Sequence, residues 1–184
     1  MNKQDTKQLM ATLITGTDFN KYLDNGEQHI IKYGDLANYR NIEELLPKER
    51  DYKIILIETS YNSGHWCCLI RNKNILEWFD PYGLGVDSEL RFVDKVKKKM
   101  LGEDHKHLTR LLEHASKHGY KIIWNKRKLQ KFKDGINTCG RWVILRLTMF
   151  KDMMFNLEEF LDFIDKNQKG SGLKTDEMVV GWVK

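Results

Sequence analysis

Proline and cysteine are both scarce in this chain of 184 residues, which holds two of the first and three of the second. There is no Pro-rich linker, and no Gly/Ser stretch or internal repeat divides the sequence. Three cysteines cannot all pair within one chain, which argues against the disulfide framework of a small secreted domain. No apolar run approaches the ~20 residues needed to cross a bilayer, so no membrane contact is expected. The polar start Met1-Asn2-Lys3-Gln4-Asp5-Thr6-Lys7 has no apolar segment behind its charges, which predicts no secretory leader. A disulfide scaffold, a membrane protein and a fibrous repeat are thereby set aside, and free thiols in a reducing, intracellular setting are expected.

Aromatic residues are plentiful: five Trp, seven Tyr and eight Phe supply apolar surface that disordered chains lack. At about 100–200 residues per domain, residues 1–184 read as one domain with a core of its own. The balance of 31 basic and 26 acidic residues gives +5, and the pI is near 9.0. This charge suits an anionic partner without requiring one.

The hydrophobic pattern changes along the chain. Leu9, Met10, Leu13 and Ile14 have helical spacing and predict a helix from Thr6 to Ile14, ended by Gly16. Ile42 to Leu46 predicts a short helix stopped by Pro47. The β-branched run Lys53–Thr59 reads as a buried strand. His65–Arg71 and Ile75–Asp80 read as a β-hairpin turning at Asn72-Lys73-Asn74, where asparagine tolerates positive φ. Helical patterns return at Ser88–Met100, with Leu90, Val93, Val96 and Met100 on one face, and at Leu108–His118. Tyr120–Trp124 predicts one more short strand, followed by a basic loop. Cys139–Phe150 is apolar on most sides, as a buried helix is. Asn156 caps an amphipathic helix from Leu157 to Ile164, and Met178–Val183 docks on the body. Strands in the middle with helices on both sides predict an α+β fold around a small antiparallel or mixed sheet.

Cys139 lies where a polar loop, Asn137-Thr138, opens this apolar helix. Unpaired amides and the positive dipole end stabilise a thiolate there. The Cys139 amide could face a developing oxyanion, and Gly140 leaves room for a substrate backbone. A buried cysteine that merely starts a core helix is the plain alternative. His65 opens one strand of the hairpin and Asp80 closes the other, so both belong to the same end of the sheet. An aspartate there can fix an imidazole in one tautomer and stabilise its charged form. Cys67 and Cys68 are adjacent in a strand, point to opposite faces and read as packing residues. His105, His107, His114 and His118 read as solvated histidines rather than metal ligands, and no metal is expected. Lys126, Arg127 and Lys128 form a basic cluster, either simply solvated or in contact with nucleic acid.

Taken in order, Gly64-His65-Trp66, Phe79-Asp80-Pro81-Tyr82-Gly83, Gln130 and Thr138-Cys139-Gly140 resemble the adenovirus-type maturation cysteine proteases (adenain-like) and the related ubiquitin-like-protein proteases. The Cys-Gly-Arg-Trp form, preceded by Asn and Thr, is similar to proteases of virophages, Polinton-type elements and large DNA viruses. The resemblance implies a circularly rearranged papain-like fold with Cys139 as nucleophile, His65 as general base, Asp80 orienting His65, and Gln130 donating to the oxyanion. Gln130 lies further from Cys139 than the family's glutamine usually does, so an extra bulge in Lys131–Asn137 is expected. Trp66 would line a narrow tunnel for small residues such as Gly-Gly, or else pack beneath the sheet. The implied activity is endopeptidase processing of capsid or core precursors during virion maturation, in the host cytoplasm, virus factory or virion. No cofactor is expected, though the family uses DNA and a peptide as activators. A deubiquitinase- or deSUMOylase-like deconjugating protease, an acyltransferase, and a non-catalytic basic module binding nucleic acid or capsid are the other readings.

Overall fold

The computed structural model describes residues 2–184. In chain order it comprises α1 (Lys3–Ala11), β1 (Ile30–Lys32), α2 (Ile42–Leu45), β2 (Arg50–Ser60), β3 (Ser63–Asn72), β4 (Ile75–Phe79), α3 (Lys95–Leu101), α4 (His107–Lys117), β5 (Lys121–Trp124), α5 (Cys139–Asp152), α6 (Leu157–Ser171) and α7 (Thr175–Trp182). Short 3-10 turns cover Gly16–Lys21, Gly26–His29, Tyr33–Asn38 and Ser88–Phe92. The expected α+β class holds. The strands form one mixed sheet in the order β1-β2-β3-β4-β5, antiparallel through β2, β3 and β4 and parallel at both edges.

Helices cover both faces of this sheet, so its central strands are buried almost throughout. Tyr52, Ile54, Leu56, Trp66, Cys68, Ile70 and Phe79 pack with α5, α6 and α7 on one face. Ile55, Ile57, Cys67, Leu69, Leu76 and Trp78 pack with α2, α4 and Leu90 on the other. Cys67 and Cys68 thus belong to opposite layers, as alternation requires. Among the described residues, no helix is long and apolar enough to cross a membrane.

Two helix expectations are corrected. The first helix starts earlier, because the Asn2 side chain accepts from the Asp5 amide at 2.8 Å and caps it. It also ends earlier, and Leu13 and Ile14 run on as extended chain that sends Ile14 into the core. The pattern at Ser88–Met100 breaks in two, since Asp94 accepts from the amides of Val96 and Lys97 and starts α3 afresh. Leu90 and Val93 are buried, but Val96 is 67% and Met100 81% exposed. The hairpin turns where expected, although Lys73 rather than an asparagine takes the positive φ, at 56°.

One buried ion pair fixes α5 on the sheet. Glu77 on β4 accepts from Nε and a terminal nitrogen of Arg146 on α5, both at 2.7 Å, with both side chains buried. Breaking such a pair from one side leaves an uncompensated charge. Glu77→Ala is therefore expected to cost about 3–5 kcal/mol, read from urea unfolding. Glu77→Leu combined with Arg146→Met should recover most of that loss.

Candidate active site

The sheet itself brings His65 and Asp80 together. Cys68 pairs with Phe79 in the β3/β4 ladder, so continuing that register places Cys67 opposite Asp80, with His65 the diagonal neighbour on the same face. His65 Nε2 lies 2.8 Å from Asp80 Oδ1, and both side chains are buried. The same oxygen accepts from the Tyr82 amide at 2.8 Å, and the Tyr82 ring stacks on the imidazole at 4.4 Å and 14°. Gly64 lets β3 lie close against β2 next to His65: a Cβ there would sit 1.9 Å from the Ile57 carbonyl oxygen, beside the register shift between Glu58 and Ser60.

Cys139 begins α5 beside the His65 imidazole, and the Cys67 thiol lies near the same ring. With Nε2 engaged by Asp80, Nδ1 is the nitrogen left to exchange a proton with the thiol. Burial pushes the Cys139 thiol up, but the bond to His65, its charge, and the amides of Trp66 and Gly140 outweigh it, and the net direction is down. His65 moves the opposite way. Burial works against a charged imidazole, while an anionic Cys67 and the bonds to Asp80 and Cys139 favour one, and its pKa rises well above the ordinary value. Burial holds Cys67 itself neutral, so Asp80 and the Cys139 thiolate are the anions that keep the His65 proton. The geometry supports a thiolate–imidazolium pair.

Gln130 is buried, but its amide is not free. Nε2 donates to the Ile136 carbonyl at 3.1 Å and to the Tyr82 hydroxyl at 3.4 Å, while Oε1 has no partner among the described residues. An amide that serves an oxyanion must release one of these bonds. The expected bulge is a turn in which the Ile136 amide donates to the Lys133 carbonyl at 3.2 Å and Gly135 takes φ 77°.

Four other site residues behave differently from the substrate, cation or solvent roles expected of them. Gly140 does not open space for a substrate, because a Cβ there would lie 2.5 Å from Ile14 Cβ; the glycine lets the N-terminal segment pack on α5. Trp66 is packed from below: its indole N–H donates to the Ile14 carbonyl at 2.9 Å and Phe19 meets it edge-on at 5.1 Å. It also borders a groove of about 800 Å³ shared with Thr15, Gly16, Ile30 and Lys32. Arg127 is structural rather than a free cation, donating to Gln168 Oε1 at 2.7 Å and pairing with Asp165. Lys126 lies over the Trp124 ring at 5.1 Å, and Lys128 is exposed. His107 is buried rather than solvated, with Nε2 2.9 Å from the Gly102 carbonyl.

His65, Cys67 and Asp80 offer ligand atoms within 4.8 Å of one another, a set that could hold a thiophilic ion. A neutral Cys67 and an Asp80 oxygen already bonded to His65 and Tyr82 fit such an ion poorly.

Two residues that hold the site in place carry no local signal in the sequence. The Asn125 side chain accepts from the Asp80 amide at 2.8 Å and donates to its carbonyl at 2.7 Å, clamping its backbone. Asp176 on α7 accepts from the Thr138 hydroxyl at 2.5 Å and the Lys131 amide at 3.1 Å, tying down the loop before Cys139. These four bonds span 38 to 45 positions, and no local pattern marks them. Arg141 adds a third tie, donating to the Thr12 and Val183 carbonyls at 2.7 and 3.0 Å, and so joins both chain ends to α5.

The chain is similar to a virophage protein. It is 29% identical over 177 residues to an uncharacterized protein, V9, of the Sputnik virophage, covering 96% of this chain and 97% of that protein. The likeness spans the site and both flanks, and it points to a viral protein. No protein-family model matches the chain, and no solved structure matches it.

Proposed function

We propose that the chain is a cysteine endopeptidase that cleaves capsid or core precursor proteins during virion maturation. The observation that carries this reading is a single buried imidazole bonded to Asp80 at 2.8 Å on one nitrogen and beside the Cys139 thiol. The viral relative supports the setting.

In this reading the Cys139 thiolate attacks the scissile carbonyl carbon, and the carbonyl electrons move onto oxygen. The amides that begin α5 have no intrahelical partner and face that oxyanion. As the C–N bond breaks, the His65 imidazolium protonates the leaving amine and a thioester remains. His65, now neutral, takes a proton from water; the resulting hydroxide displaces Cys139, and the acid product leaves. Asp80 keeps the ring oriented and stabilises its charged form whenever it holds the proton. The chemistry needs only side chains and water, and it requires a reducing environment because oxidation would silence the thiolate. By the resemblance at His65-Trp66, the residues before the scissile bond are small ones such as Gly-Gly. A ubiquitin-like tail has the same chemistry, which makes deconjugation the second reading.

The test combines labelling with cleavage. Iodoacetamide should label Cys139 near neutral pH, spare Cys67 and Cys68, and lose that preference in His65→Ala. Capsid-precursor fragments containing Gly-Gly-X should be cut and ubiquitin fusions left intact; the reverse preference would favour deconjugation. Equal labelling of all three thiols with no cleavage would sink the peptidase reading.

A further inference from the structure

Glu89 is a buried carboxyl beside the site that the mechanism above leaves unused. It sits in the 3-10 turn Ser88–Phe92, with Oε1 3.8 Å from His65 Nε2 and its carboxyl beside that of Asp80. Two oxygens of this cluster, Asp80 Oδ2 and Glu89 Oε1, are buried and have no hydrogen-bond partner among the described residues. Two adjacent carboxylates cannot both stay ionised in such a place, whereas one proton between them supplies the missing donor.

The turn is held so that Glu89 cannot swing away. Asp87, two residues earlier, accepts from the Tyr33 hydroxyl at 2.7 Å and the Thr109 amide at 2.9 Å. Its backbone adopts φ 59°, a left-handed conformation that Asp tolerates better than most residues. Leu90 and Val93 anchor the other side in the core.

We propose that Glu89 is a positioning residue that stays protonated, donates a hydrogen bond to Asp80 and keeps the carboxyl pair at one negative charge facing His65. The proposal rests on the peptidase reading of His65, Asp80 and Cys139. A second full charge would repel Asp80, pull the imidazole off its line to Cys139 and hold its proton too tightly for transfer to a leaving amine.

The groups facing Glu89 are His65 and Cys67 from β3, Asp80 and Tyr82 from the segment after β4, and Cys139 from α5. Arg91 on the same turn lies over the Phe92 ring at 4.7 Å. Glu89 is raised to about 8: burial pushes it up, His65 pulls it down, and Asp80 and Cys139 push it up. A carboxyl raised in the folded state contributes stability that is complete below its unfolded value of about 4 and is lost as pH rises. Here the loss runs up through about 8.

The test uses the full chain with Glu89→Gln, whose amide donates as a protonated carboxyl does, and with Glu89→Ala. Between about pH 6 and pH 9, the wild-type melting temperature should fall by about 5–10 °C relative to Glu89→Gln. In peptide hydrolysis, Glu89→Gln should keep neutral activity within about threefold and lose the wild-type decline near pH 8. Glu89→Ala should lose about tenfold at neutral pH, because the Asp80 oxygen is left without a donor. Parallel melting curves for wild type and Glu89→Gln, or equal activities for Gln and Ala with unchanged pH profiles, would overturn the proposal. A wild-type chain that cleaves nothing, yet shows the melting difference, overturns the peptidase reading and the positioning role with it, and leaves the shared proton standing.

Discussion

Cys139→Ala is expected to lower peptide hydrolysis by about 10⁶-fold, because the reaction loses its only activated nucleophile. Cys67 does not replace it. That thiol lies near the same imidazole, but burial holds it neutral, on the layer packed against α2 and α4. The fold should survive, since removing one sulfur at the first residue of α5 leaves the Glu77–Arg146 pair and the Arg141 ties intact. Labelling of the wild type should show the same chemistry through its pH dependence. Cys139 sits below the ordinary thiol value and His65 above the ordinary imidazole value, so the thiolate–imidazolium pair fills the window between them. Alkylation should stay on a plateau through neutral pH, fall as acid protonates the thiolate, and change again only when His65 releases its proton. Without the His65 ring, burial dominates and the neutral rate should drop by about 10–100-fold. Hydrolysis by Cys139→Ala within tenfold of wild type would remove Cys139 from the reaction.

Much of the site could be read from the sequence because two short-range rules place it. Strand alternation and a tight turn at Lys73-Asn74 return Asp80 to the end of the sheet that carries His65. An apolar run after a polar loop places Cys139 at the start of a buried helix. The parallel edge strand β1 escaped notice because Ile30–Lys32 is too short to show alternation, and its pairing with β2 is a long-range choice. The break at Asp94 escaped for the opposite reason: the 3.6-residue pattern continues through it, although Val96 and Met100 face outward. Glu89 lay inside that supposed helix, where nothing distinguished it from a solvated acid. Its meaning comes from the turn that ends before α3 and points it at Asp80. The roles expected of Gly140 and Arg127 failed on contacts with Ile14, Asp165 and Gln168 that no spacing rule brings together.

Asp80→Asn should be the next most damaging change, with kcat falling by about 10⁴-fold while the fold holds. An asparagine in this place can still accept from His65 and Tyr82 through its oxygen, so geometry alone would be spared. The charge is lost, and with it the partner that makes a buried imidazolium affordable. His65 then falls toward its ordinary value, the window of the ion pair narrows, and the neutral plateau of Cys139 alkylation should shrink with it. Stability should change far less than activity, because Asn125 holds the backbone of residue 80 at both its amide and its carbonyl. The comparison with Glu89→Gln separates the two carboxyls. One supplies the charge that His65 requires, so its neutral variant fails at every pH. The other supplies a proton, so its neutral variant works and only the alkaline decline disappears. Hydrolysis and melting measured on both variants across the same pH range would distinguish these roles. An Asp80→Asn chain that cleaves at the wild-type rate would assign the orienting role to Glu89 instead, 3.8 Å from the same nitrogen.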